Sequence, residues 1–341
     1  MYNLSCDYNC GTAPEIMDAL NRINSERQTT YGLDAYSLRA KDRIRQAVEN
    51  PDADVWLLVG GTQTNAAALD ALLMPYQGVV CVETGHIAVH EAGAIEHGTH
   101  KVITLPGSNA GILEPDTLRR YLEGFYADET WPHMIQPGAV YISHPTENGC
   151  LYSLDQLKAL RELCDQYQLK LYLDGARLAY ALASPANEIT LPHLGALCDA
   201  FYIGGTKCGA LLGEALVFRK AQPFFFTQHK QHGALLAKGW LLGLQFDLLF
   251  TDGLYQRLGT QAIHAAQQLH DGLKAHGFEF VPETGTNQLF VRVTAAQLAR
   301  LQELTPFDVW SRQKDSAVVR LCTSWATTGS EVNDFLQDFC G

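Results

Sequence analysis

Two short motifs hold the residues of this chain whose chemistry is most specific. The first is D-G-A-R, in which Asp174 follows the apolar run 169–173 and Arg177 closes the motif. The second is G-G-T-K, in which Lys207 follows a second apolar run, 200–203, and two glycines. A carboxylate that can meet a pyridinium nitrogen and a lysine that can form a Schiff base are the two protein groups that pyridoxal phosphate chemistry requires.

The elements that must position Asp174 and Lys207 are two neighbouring strands. Each of the two apolar runs is short and bounded, which is typical of a buried strand. In an open α/β sheet, ligands bind at the carboxyl ends of the strands. We therefore expect the acid and the lysine to converge at one sheet edge if the two strands lie side by side.

A third motif, G-G-T-Q, predicts an anion site. Residues 55–73 show the pattern of a strand, a glycine turn and a helix, with Gly60, Gly61, Thr62 and Gln63 at the turn. Backbone N–H groups at a helix N-terminus bind anions. Glycine turns before helices are common, so the motif is weak evidence when taken alone. It lacks the fingerprints of nucleotide and dinucleotide sites and suits a single phosphate best.

Composition narrows the class of protein. A chain of 341 residues with 47% apolar content can bury a sizeable core and predicts more than one domain. Its formal charge of −12 argues against nucleic acid and anionic membrane surfaces as partners. No apolar run approaches about 18 residues and no basic-then-apolar N-terminus is present, so neither a membrane span nor a signal peptide is expected. Nine cysteines without framework-like spacing predict a reducing, cytoplasmic location.

Beyond these motifs, the chain resembles the threonine aldolase and β-eliminating lyase family of fold-type-I pyridoxal phosphate enzymes, and within it the low-specificity L-threonine aldolase branch. The resemblance implies an α/β fold of the aspartate aminotransferase-like class. It implies a large, mainly parallel-sheet domain with an N-terminal arm at residues 1–250, and a small C-terminal α+β domain at 251–341. It also implies a homodimer or homotetramer with active sites at subunit interfaces.

The resemblance further implies which residues bind pyridoxal 5'-phosphate. Lys207 would hold its aldehyde, Asp174 its ring nitrogen, and His86 would stack on the ring. Arg177 would contact the ring oxygen or the substrate carboxylate; the alternative for it is a salt bridge to a neighbouring acid. The full set of implied cofactor-binding residues is Lys207, Asp174, Arg177, Gly61, Thr62, Gln63, His86 and Thr206.

The substrate implied by the resemblance is a small amino acid, bound through its carboxylate. Arg320 matches the family arginine for this task, to which a bidentate guanidinium is suited. Cys6 stands where the family has a serine, which leaves Ser5 as the nearby hydroxyl; the alternative is an ordered arm crossing a subunit interface. The implied substrate-binding residues are Ser5, Arg177, Arg320 and Tyr31, and for Tyr31 a packed surface loop is the alternative.

The favoured reaction is retro-aldol cleavage, which would convert L-threonine or L-allo-threonine to glycine and acetaldehyde. Its implied catalytic residues are Lys207, His86 and Glu147. Arg320 would hold the substrate so that its Cα–Cβ bond stands perpendicular to the cofactor ring and is the bond that breaks. His86 or Glu147, directly or through water, would take the proton of the β-hydroxyl. For Glu147 the alternative is a glutamate that merely closes a turn.

Three other functions remain open from the residues. The scaffold also suits β-elimination or amino-acid racemisation, and the Cys6 and His90 departures weakly favour a non-catalytic relative. Metal-dependent hydrolysis would use the histidines at 86, 90, 97 and 100. No H-E-x-x-H or other dense ligand set is present, so we predict no metal and assign His90, His97 and His100 to helix surfaces.

Overall fold

The structure is a computed structural model that describes residues 2–341. Its α-helices, α1 to α14 in chain order, are Pro14–Ile23, Ala35–Ala47, Gly61–Leu72, His86–Val89, Ala94–His97, Pro115–Ala127, Leu154–Gln166, Leu178–Ala183, Leu191–Leu197, Phe225–Gln231, Trp240–Leu249, Leu254–Ala275, Ala295–Leu304 and Gly329–Cys340. A 3-10 turn covers Trp131–His133. The strands, β1 to β11, are Asp54–Leu58, Gln77–Val82, Val102–Leu105, Gln136–Ser143, Lys170–Asp174, Ala200–Gly204, Glu214–Phe218, Glu279–Phe280, Gln288–Thr294, Asp308–Arg312 and Ser316–Cys322.

The larger sheet has seven strands in the order β1-β7-β6-β5-β4-β2-β3. Only β7 runs against its neighbours; the other strands share one direction. Alternate side chains of β2 enter two different cores, Val80 and Val82 on one face and Val79 and Cys81 on the other. Helices cover both faces, as a mainly parallel sheet requires. The predicted α/β class is confirmed.

The smaller sheet is antiparallel, in the order β10-β11-β9-β8. Its core includes apolar residues of α12 and α14, and Leu4 of the N-terminal segment packs there too. The Leu4 carbonyl accepts a hydrogen bond from Cys322 N at 2.8 Å. Helix α12 belongs to both cores: its part up to Ile263 packs with the large sheet, and its part from Ala265 packs with the small sheet. The domain boundary at 250/251 stays a prediction.

Several local signals in the sequence correspond to observed elements. Pro14 begins α1, as expected of a first-turn proline. Ser153 caps α7 in a capping box with Gln156. None of the helices in residues 2–341 combines the length and the apolar character that a membrane crossing needs. His100, assigned to a helix surface, is instead buried and its Nδ1 lies 3.1 Å from the Gln77 carbonyl oxygen.

One prediction about the helices is wrong. The apolar stretch 224–250 looks like a single long helix, but it forms two, α10 and α11. Gly233 has φ +64°, a left-handed conformation that ends α10. Gly239 precedes α11, and a Cβ there would lie 2.5 Å from the backbone nitrogen of Gly32. The two glycines therefore bend the chain and let another loop approach it closely.

Two further glycines allow β5 and β6 to end against each other. Gly204 N donates a hydrogen bond to the Gly175 carbonyl at 3.0 Å. A Cβ on Gly175 would lie 2.0 Å from the Tyr202 carbonyl oxygen, and one on Gly204 would lie 2.3 Å from the Ala176 carbonyl oxygen. Since both neighbours are backbone atoms, one in β6 and one in the turn after β5, neither can move away without shifting the main chain. Glycine at both positions is a steric requirement of this crossing.

We predict that Gly175→Ala destabilises the protein, because the added methyl group forces the ends of β5 and β6 apart. The expected loss in the free energy of unfolding is about 1–3 kcal/mol, the usual cost of overpacking. Chemical denaturation monitored by circular dichroism measures it. Gly124→Ala is the matched control, since Gly124 lies in α6 with nothing within 4 Å of its Cβ position. It should be neutral or stabilising by up to about 1 kcal/mol. Equal stability of the two variants would contradict the steric argument.

Candidate active site

Asp174 and Lys207 line one cleft of about 320 Å³ at the carboxyl edge of the large sheet. Asp174 is the last residue of β5, and Lys207 follows the end of β6. The two strands pair in parallel, with Tyr172 opposite Ala200. The predicted convergence of these strand ends is therefore present in the structure.

Asp174 is buried and accepts hydrogen bonds at both carboxylate oxygens. Its Oδ2 accepts from Tyr141 OH at 2.8 Å and from Asn65 Nδ2 at 2.9 Å, and its Oδ1 accepts from Ala176 N at 3.0 Å. Burial alone would raise the pKa of Asp174, but the nearby His86 and the hydrogen bonds outweigh it and hold the pKa below its ordinary value. Asp174 thus stays ionised, as a partner of a protonated ring nitrogen must.

Lys207 lies in the same cleft with its amine free of close acids. No carboxylate of residues 2–341 lies within 4 Å of Nζ; the ring centre of Tyr8 is 5.7 Å away. Burial and the neighbouring Arg177 lower the pKa of Lys207, against the opposing effects of Asp7 and Asp174. A larger share of neutral amine makes the side chain a better nucleophile.

The glycine turn opens helix α3 beside these two residues. Gly60 precedes the helix in an extended conformation and no side chain caps it, so the first N–H groups of a twelve-residue helix remain available. Gly60, Gly61 and Thr62 line the cleft. A Cβ on Gly61 would lie 3.0 Å from Tyr202 OH, so the turn rests closely on that hydroxyl. The side chain of Gln63 turns away, and its Nε2 donates to the His232 carbonyl at 3.2 Å.

His86 and Glu147 lie together on another wall of the cleft. Glu147 Oε1 accepts from the His86 backbone N–H at 3.0 Å and from Ser143 Oγ at 2.6 Å. His86 Nδ1 lies 2.7 Å from Glu91 Oε1, which fixes the ring and leaves Nε2 for other partners. Although burial lowers it, the pKa of His86 is raised overall by Glu91 and Asp174. Burial raises the pKa of Glu147.

Arg177 is held by an acid of the N-terminal segment. Its Nε and Nη2 donate to the two carboxylate oxygens of Asp7 at 2.7 and 3.1 Å. Asn287 Nδ2 also donates to Asp7, at 2.9 Å. Burial would raise the pKa of Asp7, but Arg177 and Lys207 hold it below its ordinary value. The salt bridge considered as the alternative for Arg177 is present, while Arg177 still lines the cleft.

Besides Gln63, three of the sequence-predicted residues lie outside the cleft. Ser5 Oγ donates to Asn3 Oδ1 at 2.7 Å. Tyr31 is partly exposed, and Lys230 Nζ lies 5.0 Å from its ring centre. Arg320 lies on β11, pairs with Asp308, and donates from Nη1 to Gln288 Oε1 at 3.1 Å. The assigned roles of Ser5, Tyr31 and Arg320 stay predictions.

The sequence reasoning missed Glu214, the first residue of β7, which lines the cleft. Glu214 Oε2 accepts from Gly205 N at 3.0 Å, and burial raises the pKa of Glu214 to about 7. Its one sequence signal is an acid that opens the apolar strand E-A-L-V-F. Thr206 next to it lines the cleft and accepts from Gly213 N at 3.0 Å. Asn65, Glu91, Tyr141 and Ser143 were missed as well, because each acts through contacts distant in sequence.

Known proteins resemble this chain over most of its length. Residues 3–326 match the family model of the Beta-eliminating lyases. A low specificity L-threonine aldolase from a Pseudomonas species is 31% identical over 340 residues, which covers 96% of this chain and 94% of that protein. One from Saccharomyces cerevisiae is 24% identical over 308 residues, covering 84% of this chain and 77% of that protein.

Solved structures also resemble this chain over most of its length. A threonine aldolase from Leishmania major superposes with a TM-score of 0.95 at 38% identity, covering 99% of this chain and 98% of that chain. An aspartate aminotransferase from Thermus thermophilus gives a TM-score of 0.71 at 17% identity, covering 99% and 90%, and shows the fold alone. The aspartate aminotransferase-like fold is therefore confirmed. With the family model matched across residues 3–326, the chain belongs to the β-eliminating lyase family.

Proposed function

We propose that this protein is a pyridoxal phosphate-dependent carbon–carbon lyase that cleaves L-threonine, L-allo-threonine and related β-hydroxy-α-amino acids to glycine and an aldehyde. The observation that carries the proposal is the shared cleft of Asp174 and Lys207 at the start of α3. The names of the Pseudomonas and Leishmania relatives support the same reaction. β-Elimination and racemisation are less favoured, since the full-length relatives are threonine aldolases.

The residues of the cleft fit pyridoxal 5'-phosphate. The uncapped start of α3 suits its phosphate, and the close packing of Gly61 on Tyr202 leaves backbone N–H groups as the donors there. Asp174 suits its ring nitrogen and Lys207 its aldehyde. When bound, the cofactor supplies a ring that accepts the electron pair released at the substrate's α-carbon. Thr206 and the partly exposed ring of His86 complete the proposed walls of the site.

Two arginines are proposed to bind the substrate carboxylate. Arg177 uses Nε and Nη2 for Asp7, and its Nη1 donates to no residue in the described chain. Arg320 Nε is buried without a partner in residues 2–341, which leaves a donor for an incoming carboxylate. Both guanidiniums are anchored by an acid, so they stay in place when the substrate leaves. A carboxylate held in this way has a defined orientation, and that orientation selects which bond at Cα breaks.

Glu147 is proposed to take the proton of the β-hydroxyl, directly or through water, with His86 beside it as the second candidate. Both side chains line the cleft, and Ser143 and the His86 backbone orient the Glu147 carboxylate. The raised pKa of His86 keeps its imidazole protonated up to a higher pH. A protonated imidazole is a poorer base than a carboxylate, which favours Glu147 for this step.

The proposed assembly is a homodimer or homotetramer whose active sites lie at subunit interfaces. Tyr31 lies outside its own chain's cleft, and several large apolar side chains that are close to it in sequence or belong to the Lys230 segment are exposed. Leu33 is 60% exposed, Leu38 50%, and Phe224, which precedes the helix that carries Lys230, 84%. Such a patch is typical of a subunit contact, and Tyr31 would then serve the neighbouring site.

We expect Leu33→Glu to weaken the assembly, because it places a charge in the proposed contact. Sedimentation velocity of the purified chain should show a shift toward monomer. Met74→Glu replaces a side chain of similar exposure elsewhere, 57% against 60%, and should leave the sedimentation coefficient unchanged. A wild-type monomer, or equal behaviour of both variants, would sink the proposed interface.

The proposed function predicts that the purified protein turns yellow with pyridoxal phosphate and releases glycine and acetaldehyde from L-threonine. Lys207→Ala should lose both properties, because no other lysine of residues 2–341 lines the cleft. Lys158→Ala is the matched control, since Lys158 lies exposed on α7 and should leave colour and turnover intact. Absorbance spectra and glycine release measure the outcome. Ammonia with a keto acid, or the D-enantiomer of the substrate, in place of glycine would contradict the reaction class.

A separate prediction concerns the proton acceptor. Glu147→Gln should reduce kcat about 10²–10⁴-fold, the usual contribution of a general base, while the yellow complex still forms. Because the pKa of Glu147 is raised above its ordinary value of 4.5, turnover of the wild type should fall as the pH drops through that raised value. The variant should lose this acid limb, since an amide does not titrate. A pH profile of kcat that keeps the limb in Glu147→Gln would transfer the role to His86.

A further inference from the structure

Asn65 joins two buried acids that lie on different sides of the site. It occupies α3 and is fully buried. Its Nδ2 donates one hydrogen to Glu91 Oε1 at 2.7 Å and the other to Asp174 Oδ2 at 2.9 Å. Its Oδ1 accepts from Tyr172 OH at 2.9 Å. The tyrosine and the two acids require the same orientation of the amide, so its position is fully determined.

The chain of contacts continues from Glu91 to the wall of the cleft. Glu91 Oε1 lies 2.7 Å from His86 Nδ1, whereas Glu91 Oε2 is buried with no partner in residues 2–341. Within residues 2–341, the hydrogen-bond partners of the Glu91 carboxylate are therefore Asn65 and His86. The resulting sequence of contacts, His86–Glu91–Asn65–Asp174, connects the histidine ring with the carboxylate at the end of β5.

Two carboxylates that share one donor in a buried site repel each other. Like charges at short range favour the uptake of a proton by one of them. An asparagine opposes this with two N–H donors and no charge of its own, and hydrogen bonds to ionised acceptors are among the strongest in proteins. Leucine at this position would have nearly the same shape and no donor, so both acids would lose this hydrogen bond.

We propose that Asn65 is a positioning residue that keeps Glu91 and Asp174 ionised together and thereby couples the protonation of His86 to the carboxylate for the cofactor's ring nitrogen. This inference rests on the proposed function, because it assigns Asp174 to that nitrogen. The coupling has a direct consequence in the protein without cofactor as well. When one acid becomes neutral, His86 loses part of the negative field that keeps its proton.

Other titratable groups surround this sequence of contacts, and apart from Tyr172 in its own control variant they are unchanged in the variants compared below. Tyr141, Tyr172 and Tyr202 come from β4, β5 and β6, and their hydroxyls share the site with Asp174. The ring of His90 lies 5.6 Å from that of His86. Further charged or titratable groups near His86 and Asp174 include Arg177, Glu147, Lys207, Glu214 and Arg320.

The test compares wild type with Asn65→Leu in the full-length chain freed of cofactor. Diethyl pyrocarbonate reacts with the neutral form of a histidine ring and not with the protonated form. The rate of His86 modification is measured as a function of pH by mass spectrometry of the peptide that contains His86. The pH at half-maximal rate is the titration midpoint of this histidine. The midpoint should fall by about one pH unit in Asn65→Leu, the size expected for the loss of one buried charge interaction. The same variant should bind pyridoxal phosphate about ten-fold more weakly in an absorbance titration.

Tyr172→Phe is the matched control. It removes a hydrogen bond from the same amide and lowers stability, but both donors to the acids remain, so the His86 midpoint should not move. Glu91→Gln gives the second control: with one acid already neutral, Asn65→Leu should shift the midpoint much less than in wild type. An equal shift in both backgrounds, or a shift with Tyr172→Phe as large as with Asn65→Leu, would overturn the coupling.

Two outcomes separate this inference from the proposed function. If the wild type forms no yellow complex, the proposed function is contradicted. If the wild type forms it and the His86 midpoint is the same in Asn65→Leu as in wild type, the inference alone is contradicted. If Asn65→Leu does not fold, Asn65→Ser replaces it, because a single hydroxyl donor reaches at most one of the two acids. A midpoint unchanged in Asn65→Ser then overturns the inference.

Discussion

The close crossing of two strand ends is the constraint on which the whole site depends. Gly175 and Gly204 let β5 and β6 finish in backbone contact, and this contact places an acid and a lysine in one cleft. No side-chain interaction can replace it, because the crossing atoms belong to the main chain. The helices that pack on both faces of the sheet then fix the positions of these strand ends.

Several charged side chains lie buried or partly buried around this crossing. Each of them is stabilised by an ion pair or by a set of hydrogen bonds. Arg177 has Asp7, His86 has Glu91, and Asp174 has donors from α3, β4 and the turn after β5. Buried charges are tolerated when each has a close partner of opposite sign or a set of hydrogen bonds. The lysine amine is the exception: no carboxylate of residues 2–341 lies within 4 Å of it, and burial with the neighbouring Arg177 lowers its pKa.

Much of the architecture could be predicted from the sequence, because strands, caps and glycine turns are local features. Asp174 and Lys207 stand out since each follows an apolar strand directly. The amide at position 65 could not be found in this way, because a polar residue inside a helix acquires meaning only through its neighbours in space. Arg320 poses a different difficulty: its distance from the cleft depends on how the small sheet is placed, which no local pattern records. Gly233 is a local signal for the end of a helix. The apolar residues on both sides of it favoured a single long helix, and for this reason the break was missed.

Helix α12 is embedded in both hydrophobic cores, the first part under the large sheet and the second under the small one. A C-terminal segment that began at the start of α12 would expose the apolar side chains of this helix that pack under the large sheet. Thermal unfolding should therefore occur in one cooperative transition. Any movement of the small sheet toward the cleft requires bending of helix α12, because this one helix packs under both sheets.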